Sequence, residues 1–410
     1  MTSLVGARLS DFTQSVLASI SPLRPIPLTL DDAHGCTLAE PVDATAPLPP
    51  FDLAVVDGYA VKAADVTGAT EDKPVRLPVV ADINANSQGP VTVLDGYSVR
   101  VTAMSRVPVG AEAIVPSALT DGGIAAVSVR TPVGFGSGIR PAGCEVALGA
   151  RVLEQGQVLG IAQLALLAAM GRREALCYPR PRVVVVTAIA PGLAAIGGDG
   201  ITHALSAGVR DAGGIAYRVG AVSDPKEMLT TLEDHLIRAD LLLVCGGASL
   251  GPTGANGVLP EVLAGLGTVT FTPIAARPLG FIGFGTIGPD EIPFFAVPSD
   301  PACALVGFEA LVGPAIRLMA AARPASELRP KATLDHEIWS ERGICDLVPV
   351  RITQKAGAAP VATPLIDRGG QPPLYLLAAA HGLAVIGEDA TELPKGSTVP
   401  VLLFNKGMQG

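Results

Sequence analysis

One stretch constrains the fold of this chain more than any other, because residues 182–320 alternate short apolar runs with helical patterns. The runs are rich in β-branched residues and apolar on both faces, as in 182–187 (RVVVVT). Such strands, separated by helices, form a parallel sheet that helices cover on both sides. We therefore predict an α/β domain, with helices at 203–212, 225–238, 257–266 and 301–319 and strands at 182–187, 215–222, 240–245, 269–274, 280–285 and 292–297.

This fold class predicts where a ligand would bind. In an open parallel sheet, ligands bind beyond the carboxyl ends of the strands, where the strand order reverses. The loop 246–251 (GGASLG) follows a predicted strand and precedes a predicted helix. Its glycines permit close backbone approach, and free N–H groups at a helix start favour a phosphate. A tight strand-to-helix turn explains the same glycines, so both interpretations stay open.

The regions before residue 182 and after residue 320 have different residue patterns. Residues 4–20 carry apolar side chains at helical spacing, and a second helical stretch is expected to open at Ala33. Between 75 and 130, short Val-rich segments separated by Gly, Pro, Asn and Asp predict an all-β module. Because the helical pattern returns at 160–170, this module is predicted to be an insertion. After residue 324 the chain returns to short strands, expected to lie in a second β domain.

Composition excludes several classes of protein. The 410 residues are 49% apolar and 16% charged, which excludes a disordered chain. A net charge of −9 argues against nucleic acid as a partner. The apolar helical run 158–170 is shorter than the ~20 residues that cross a bilayer, so no membrane insertion is expected. The six Cys show no CxxC spacing, so we expect no zinc site and a cytoplasmic location.

Several motifs resemble one family. Residues 51–61 (FDLAVVDGYAV) resemble its FDNSAMDGYAV, 136–140 (GSGIR) its GxNIR, 246–251 its GGVSVG and 298–301 (PSDP) its PGNP. The chain is thus similar to the molybdopterin molybdenumtransferases, which include MoeA and the gephyrin E domain. The resemblance implies a multi-domain α/β protein, an elongated MoeA-like homodimer. Its implied domains are a discontinuous helical, dimerising domain (1–46 and 137–178), an inserted β domain (47–136), a MogA-like molybdopterin-binding α/β domain (179–324) and a C-terminal β barrel (325–410).

The resemblance also implies an activity. The family exchanges the AMP of adenylated molybdopterin for molybdate, with Mg²⁺. That chemistry needs carboxylates for the metal and cations for the anions. Here the family's TGDEL reads AIAPG at 188–192, its KPGKP reads RPLGF at 277–281, and its RGED reads AGCE at 142–145. The acidic pair and a lysine are absent from these positions, which predicts loss of efficient turnover, so whether the chain is an enzyme stays open.

A residual polar set is implied by the matching positions. The residual catalytic candidates are Asp57, Glu145 and Asp199. The candidate cofactor-binding residues are Gly246, Gly247, Ser249, Gly251, Arg277 and Asp300. No metal site is predicted from the residues themselves.

Two main functional hypotheses follow. The first is a dimeric protein-binding scaffold, as the gephyrin E domain and a MoeA-like cell-division protein are, here binding the FtsZ C-terminal tail at the division site without a cofactor. Candidate peptide-binding residues are Phe281, Phe284, Arg342 and Tyr375, although ordinary burial in a core explains such apolar residues equally well. The alternative is a divergent transferase that uses Mg²⁺, molybdopterin and molybdate. A third, weaker hypothesis is a protein that holds molybdopterin without converting it.

Overall fold

The computed structural model describes residues 6–87, 89–188, 200–246, 258–322 and 330–404. The chain divides into a smaller unit, Glu40–Glu174, and a larger unit, Met1–Ala39 with Ala175–Gly410. The helices of the described residues are α1 (Leu9–Ala18), α2 (Ile161–Ala169), α3 (Gly200–Asp211), α4 (Pro225–Leu236), α5 (Val258–Leu263), α6 (Pro301–Gly307), α7 (Gly313–Met319) and α8 (Leu374–Ala379).

The strands are numerous and short. In the first half of the chain they are β1 (Ile26–Thr29), β2 (Thr37–Leu38), β3 (Val42–Asp43), β4 (Leu53–Ala54), β5 (Gly58–Val61), β6 (Val75–Ile83), β7 (Ser98–Val101), β8 (Ala113–Pro116), β9 (Ala126–Val129), β10 (Ile139–Arg140), β11 (Arg151–Leu153), β12 (Glu174–Tyr178) and β13 (Arg182–Ala188). In the second half they are β14 (Ile215–Val222), β15 (Leu241–Gly246), β16 (Gly267–Pro273), β17 (Ala276–Arg277), β18 (Phe281–Ile287), β19 (Ile292–Val297), β20 (Lys331–Leu334), β21 (Ile338–Trp339), β22 (Cys345–Thr353), β23 (Val361–Pro364), β24 (Gly382–Ile386), β25 (Glu392–Leu393) and β26 (Thr398–Leu403).

The smaller unit confirms the predicted β module. Its five-stranded sheet has the order β8-β5-β7-β6-β9. Strand β5 carries the DGYAV motif and is buried along its whole length between β7 and β8. A Cβ on Gly58 would lie 2.0 Å from the Val115 carbonyl oxygen. The motif glycine therefore serves the close approach of two strands.

Helix α2 is the last helix of the smaller unit, and nearly all of its residues are apolar. Its sequence, IAQLALLAA, contains one polar residue, yet only Leu167 is buried. Ile161 is 83% exposed. The Gly160 N–H donates to Gln163 Oε1 (3.1 Å), which satisfies one of the free donors at the helix start. Helix α2 therefore leaves apolar side chains exposed on the surface of this unit.

The larger unit contains the predicted α/β sheet, with the order β14-β13-β15-β19-β18-β16. The first four strands are parallel. Successive residues of β13 alternate between two cores: Val183 and Val185 face one, Val184 and Val186 the other. The prediction of a sheet covered on both faces is therefore confirmed.

Two strands of this sheet run differently from the prediction. Strands β16 and β18 pair antiparallel, and β18 pairs antiparallel with β19. The prediction of parallel strands at 269–274 and 280–285 was therefore wrong. Parallel neighbours need a crossover of a dozen or more residues, whereas only 274–280 and 288–291 connect these strands.

The prediction of a second helix opening at Ala33 was also wrong. This region contains β1 and β2, which pair with β12. Gly35 has a φ of +76°, a left-handed conformation that ends a helix rather than continuing one. Helix α1 confirms the first helical prediction and packs against α7.

The C-terminal region is the predicted β barrel. Strands β22, β23, β20, β26 and β24 pair in this order, and β24 pairs back to β22, so the barrel is closed. Strand β17 of the α/β part joins its edge through a parallel pairing with β22. The segment around Leu374, which was expected to be extended, is the short helix α8.

One helical stretch in the described residues, Pro301–Met319, is long and apolar enough to cross a bilayer. It comprises α6, a π-helical segment (Phe308–Val312) and α7. In its most apolar window 72% is buried within the protein. It is the central core helix of the larger unit.

Candidate functional site

The carboxyl ends of three strands meet at one edge of the α/β sheet. Ala188 of β13 is in register with Gly246 of β15. Gly246 has a φ of +91°, and a Cβ there would lie 2.3 Å from the Ala188 oxygen and 3.5 Å from the Ser299 Cβ. Glycine is thus required at the position where the GGASLG loop leaves the sheet. This edge is where the fold predicts a ligand.

The predicted residues of that loop are only partly described. Gly247, Ser249, Gly251 and Asp199 lie outside the described residues, as does most of 188–192. Among the edge candidates, the structure therefore places Gly246 and Asp300.

Asp300 begins α6 as its N-cap. Its Oδ1 accepts the Cys303 N–H (3.0 Å), and Pro301 occupies the first helical position. Aspartate is preferred at this position because its oxygen satisfies a free N–H of the first turn. Asp300 therefore has a structural role at the edge, beside the strand ends.

Two cysteines next to this edge are poor nucleophiles. Burial raises the pKa of the Cys245 thiol to about 12. Burial and a hydrogen bond with Asp300 raise the pKa of the Cys303 thiol to about 12. The Cys245 Sγ donates to the Pro298 carbonyl oxygen (3.2 Å). Both thiols stay protonated near neutral pH and fill space, since the thiolate is the reactive form.

Arg277, the cation retained from the family's KPGKP, is occupied by carboxylates. Its Nε and Nη2 donate to the two oxygens of Asp346 (2.7 and 2.8 Å), and its Nη1 to Glu341 (3.4 Å). The Asp346 side chain is 0% exposed and also accepts the Ser340 hydroxyl (2.7 Å). The guanidinium thus joins β17 to the barrel strand β22, and an anionic substrate would have to compete with this bidentate pair.

The residual catalytic candidate Asp57 lines a cavity of about 300 Å³ within the smaller unit. Its Oδ1 accepts the Ala103 N–H (2.7 Å). Asp82 and Arg100, which form a bidentate ion pair, line the same cavity with Asn84, Thr102 and Ser117. The cavity therefore offers two carboxylates, one guanidinium and several neutral hydrogen-bonding groups.

The candidate Glu145 is paired locally. It accepts a hydrogen bond from Arg140 of the GSGIR motif, and both side chains are about 40% exposed, at 43% and 42%. The interaction joins the end of β10 to the following turn. Each member neutralises the other, so neither offers an uncompensated charge.

A magnesium site finds no support in the described part of the chain. Across 6–87, 89–188, 200–246, 258–322 and 330–404, no three His, Cys, Asp or Glu side chains are grouped so that they could hold a metal ion.

The four peptide-binding candidates are placed in different environments. Phe284 packs against Phe295, with ring centroids 4.9 Å apart and the rings tilted by 52°, and contacts the core. Phe281 begins β18 and is half-buried. Arg342 is exposed in a turn, and Tyr375 on α8 is 71% exposed.

Sequence reasoning missed three charged residues that the structure brings forward: Asp346, Arg100 and Glu309. A signal existed for the first, because Asp346 interrupts an apolar run, Cys345–Thr353, with a carboxylate. A charge inside such a strand indicates a buried ion pair. Arg100 and Glu309 gave no such signal, because the environment of each side chain is set by residues distant in the sequence.

Comparison with known proteins agrees with the motifs. The family model "MoeA N-terminal region (domain I and II)" matches residues 8–171, and "Probable molybdopterin binding domain" matches 193–318. Molybdopterin molybdenumtransferases 1 and 2 of Mycobacterium tuberculosis are each 33% identical to this chain, over 94% and 92% of it and 95% of each relative. The crystal structure of a molybdopterin biosynthesis MoeA protein from Pyrococcus horikoshii superposes with a TM-score of 0.74 at 25% identity, covering 98% of this chain and 100% of that one. This chain belongs to the molybdopterin molybdenumtransferase family.

Proposed function

We propose that this chain is a divergent molybdopterin molybdenumtransferase, which inserts molybdate into adenylated molybdopterin and releases AMP. The observation that carries the proposal is the sheet edge at Gly246, where three parallel strands end and the glycine permits close backbone approach. Similarity to two transferases along more than nine-tenths of the chain supports the same substrate class. We expect the protein to act in the cytoplasm, as the similarity to these transferases suggests.

Turnover is expected to be slow. In the described part of the site, the two motif arginines are ion-paired and not free to bind an anion, because Arg277 is paired with Asp346 and Arg140 with Glu145. One positioned charge contributes about 10²–10³-fold in rate. We therefore expect AMP release at least about 10²-fold slower than by an intact relative, yet faster than without protein.

The measurement is AMP release from adenylated molybdopterin with molybdate and Mg²⁺, followed by chromatography. Asp57→Asn is expected to lower the rate further, whereas Glu261→Gln, an exposed carboxylate on α5, should leave it unchanged. Release equal to the protein-free control would refute the enzymatic proposal. Binding of molybdopterin in that same sample would then favour a protein that holds it without conversion.

A homodimer is also proposed, with α2 as its contact surface. The support is the apolar face of α2, on which Ile161 and Ala165 are exposed to solvent. We expect light scattering to give about twice 41.6 kDa. Ala165→Asp should weaken association strongly because it places a charge in an apolar contact. The matched control is Ala264→Asp, at an exposed alanine after α5; equal masses for the two variants would contradict the assignment.

A second candidate function is the protein-binding scaffold. Its support is the short helix α8, which exposes Tyr375 (71%) and Leu374 (49%). Calorimetric titration with an FtsZ C-terminal peptide is expected to give a Kd near micromolar, about −8 kcal/mol, if α8 is an anchor. Tyr375→Ala should then weaken binding by ~1–2 kcal/mol. No heat at several hundred micromolar peptide would remove this candidate, and recruitment to the division site with it.

A further inference from the structure

A groove of about 860 Å³ lies in the larger unit, away from the sheet edge. Helix α3, the helical stretch Pro301–Met319 and helix α8 form its walls. The lining is mostly apolar, with Leu305, Phe308, Leu377 and Phe404 as its large members and alanines between them. Its volume is in the range of sites that hold a small organic molecule.

A carboxylate, Glu309, lies in this apolar lining. It belongs to the π-helical segment Phe308–Val312. Such segments are rare and occur frequently at functional sites. Within the described ranges, the Glu309 side chain makes no hydrogen bond and no ion pair. Glu309 is part-buried and lines the groove, so its carboxylate is an acceptor to which a ligand in the groove could donate hydrogen bonds.

Two charged groups of opposite sign act on Glu309, Arg317 more strongly and Asp211 more weakly. Asp211 of α3 lines the same groove and adds a second negative charge. Arg317 of α7 attracts Glu309 electrostatically but does not reach it as an ion pair, and its Nε has no hydrogen-bond partner. His381, which follows α8, also lines the groove, and its Nδ1 accepts the Ile352 N–H (3.1 Å).

We propose that this groove binds an organic cation, a primary ammonium group on an apolar chain, with the ammonium at Glu309 and the chain against Phe308, Leu305 and Leu377. The apolar walls would bury the chain, and the ammonium would supply the hydrogen bonds that Glu309 lacks. The site is independent of the proposed molybdenum insertion, since it shares no residue with the sheet edge or with the Asp57 cavity.

The probes are hexylammonium, hexanol and hexanoate, which share one chain length and differ in charge. Calorimetry at pH 8 is expected to show hexylammonium binding at least about tenfold more tightly than hexanol, with hexanoate weakest. Glu309→Gln should bring hexylammonium to the affinity of hexanol. Glu261→Gln, the exposed control, should change nothing. Equal affinity of the three probes, or an unchanged hexylammonium affinity in Glu309→Gln, would overturn the proposal.

The pH dependence of hexylammonium affinity gives a second measurement. Burial raises the pKa of Glu309 to about 7, so hexylammonium is expected to bind about tenfold more weakly at pH 6 than at pH 8. His381 also lines the groove, so His381→Gln tests whether this imidazole contributes to the pH dependence. A pH dependence lost in Glu309→Gln and kept in His381→Gln supports the site. The reverse pattern contradicts it.

A bulky side chain placed in the groove tests the site without changing any charge, which matters if the charge variants fold poorly. Ala207 on α3 is exposed and lines the groove. Ala207→Phe is expected to fill it and weaken hexylammonium and hexanol together. Unchanged binding of both probes, with circular dichroism showing the native fold, would place them elsewhere and refute the groove.

Discussion

Replacing Asp346 by Ala is expected to lower the free energy of unfolding by about 3–5 kcal/mol. Asp346 is wholly buried and accepts hydrogen bonds from Arg277 and Ser340. Removing the carboxylate leaves a guanidinium that is only 29% exposed facing Glu341 alone. A buried charge that loses its partner keeps its desolvation cost without the compensating attraction.

The measurement is urea unfolding followed by fluorescence of Trp339, the single tryptophan, which lies next to Ser340. The control is Glu341→Gln, because Glu341 is 66% exposed and its pairing is expected to contribute less than about 1 kcal/mol. Arg277→Leu combined with Asp346→Leu should be less destabilised than Asp346→Ala, since no unpaired charge remains. Equal effects of Asp346→Ala and Glu341→Gln would show that the pair is not a structural clamp.

Replacing Glu309 by Gln is expected to stabilise the protein at pH 8 by up to about 3 kcal/mol and to change little at pH 5. Burial raises the pKa of Glu309 from 4.5 to about 7, so the folded state binds this proton more tightly than the unfolded chain does. Stability from this group is therefore complete below pH 4.5 and is lost as the pH rises to about 7. Gln cannot ionise, so the variant escapes that loss.

The measurement is the free energy of unfolding of both proteins between pH 5 and pH 8, with Glu261→Gln as the exposed control. The difference between Glu309→Gln and the native chain should grow with pH, and the control should show a flat difference. A difference that is independent of pH would mean that the Glu309 carboxyl ionises as it does in water.

The sequence by itself determined the fold class and most of its elements. The strands at 215–222 and 292–297 were predicted at the residues where the structure has them. The reason is that strand and helix patterns are local: the side chains that reveal them are neighbours in the chain. The motif resemblance likewise depends on contiguous residues, and the family assignment followed from it.

Only the tertiary structure decided which charges remain available. By sequence, Arg277 matches a cation of the family motif, but the pairing of β17 with β22 brings Asp346 to it from 69 residues away. Arg100 pairs with Asp82 because β7 pairs with β6. Glu309 becomes a part-buried acid in a groove because α3 and α8 line that groove beside it. Burial and pairing of a charge depend on elements far apart in the chain, and no local pattern in the sequence encodes them.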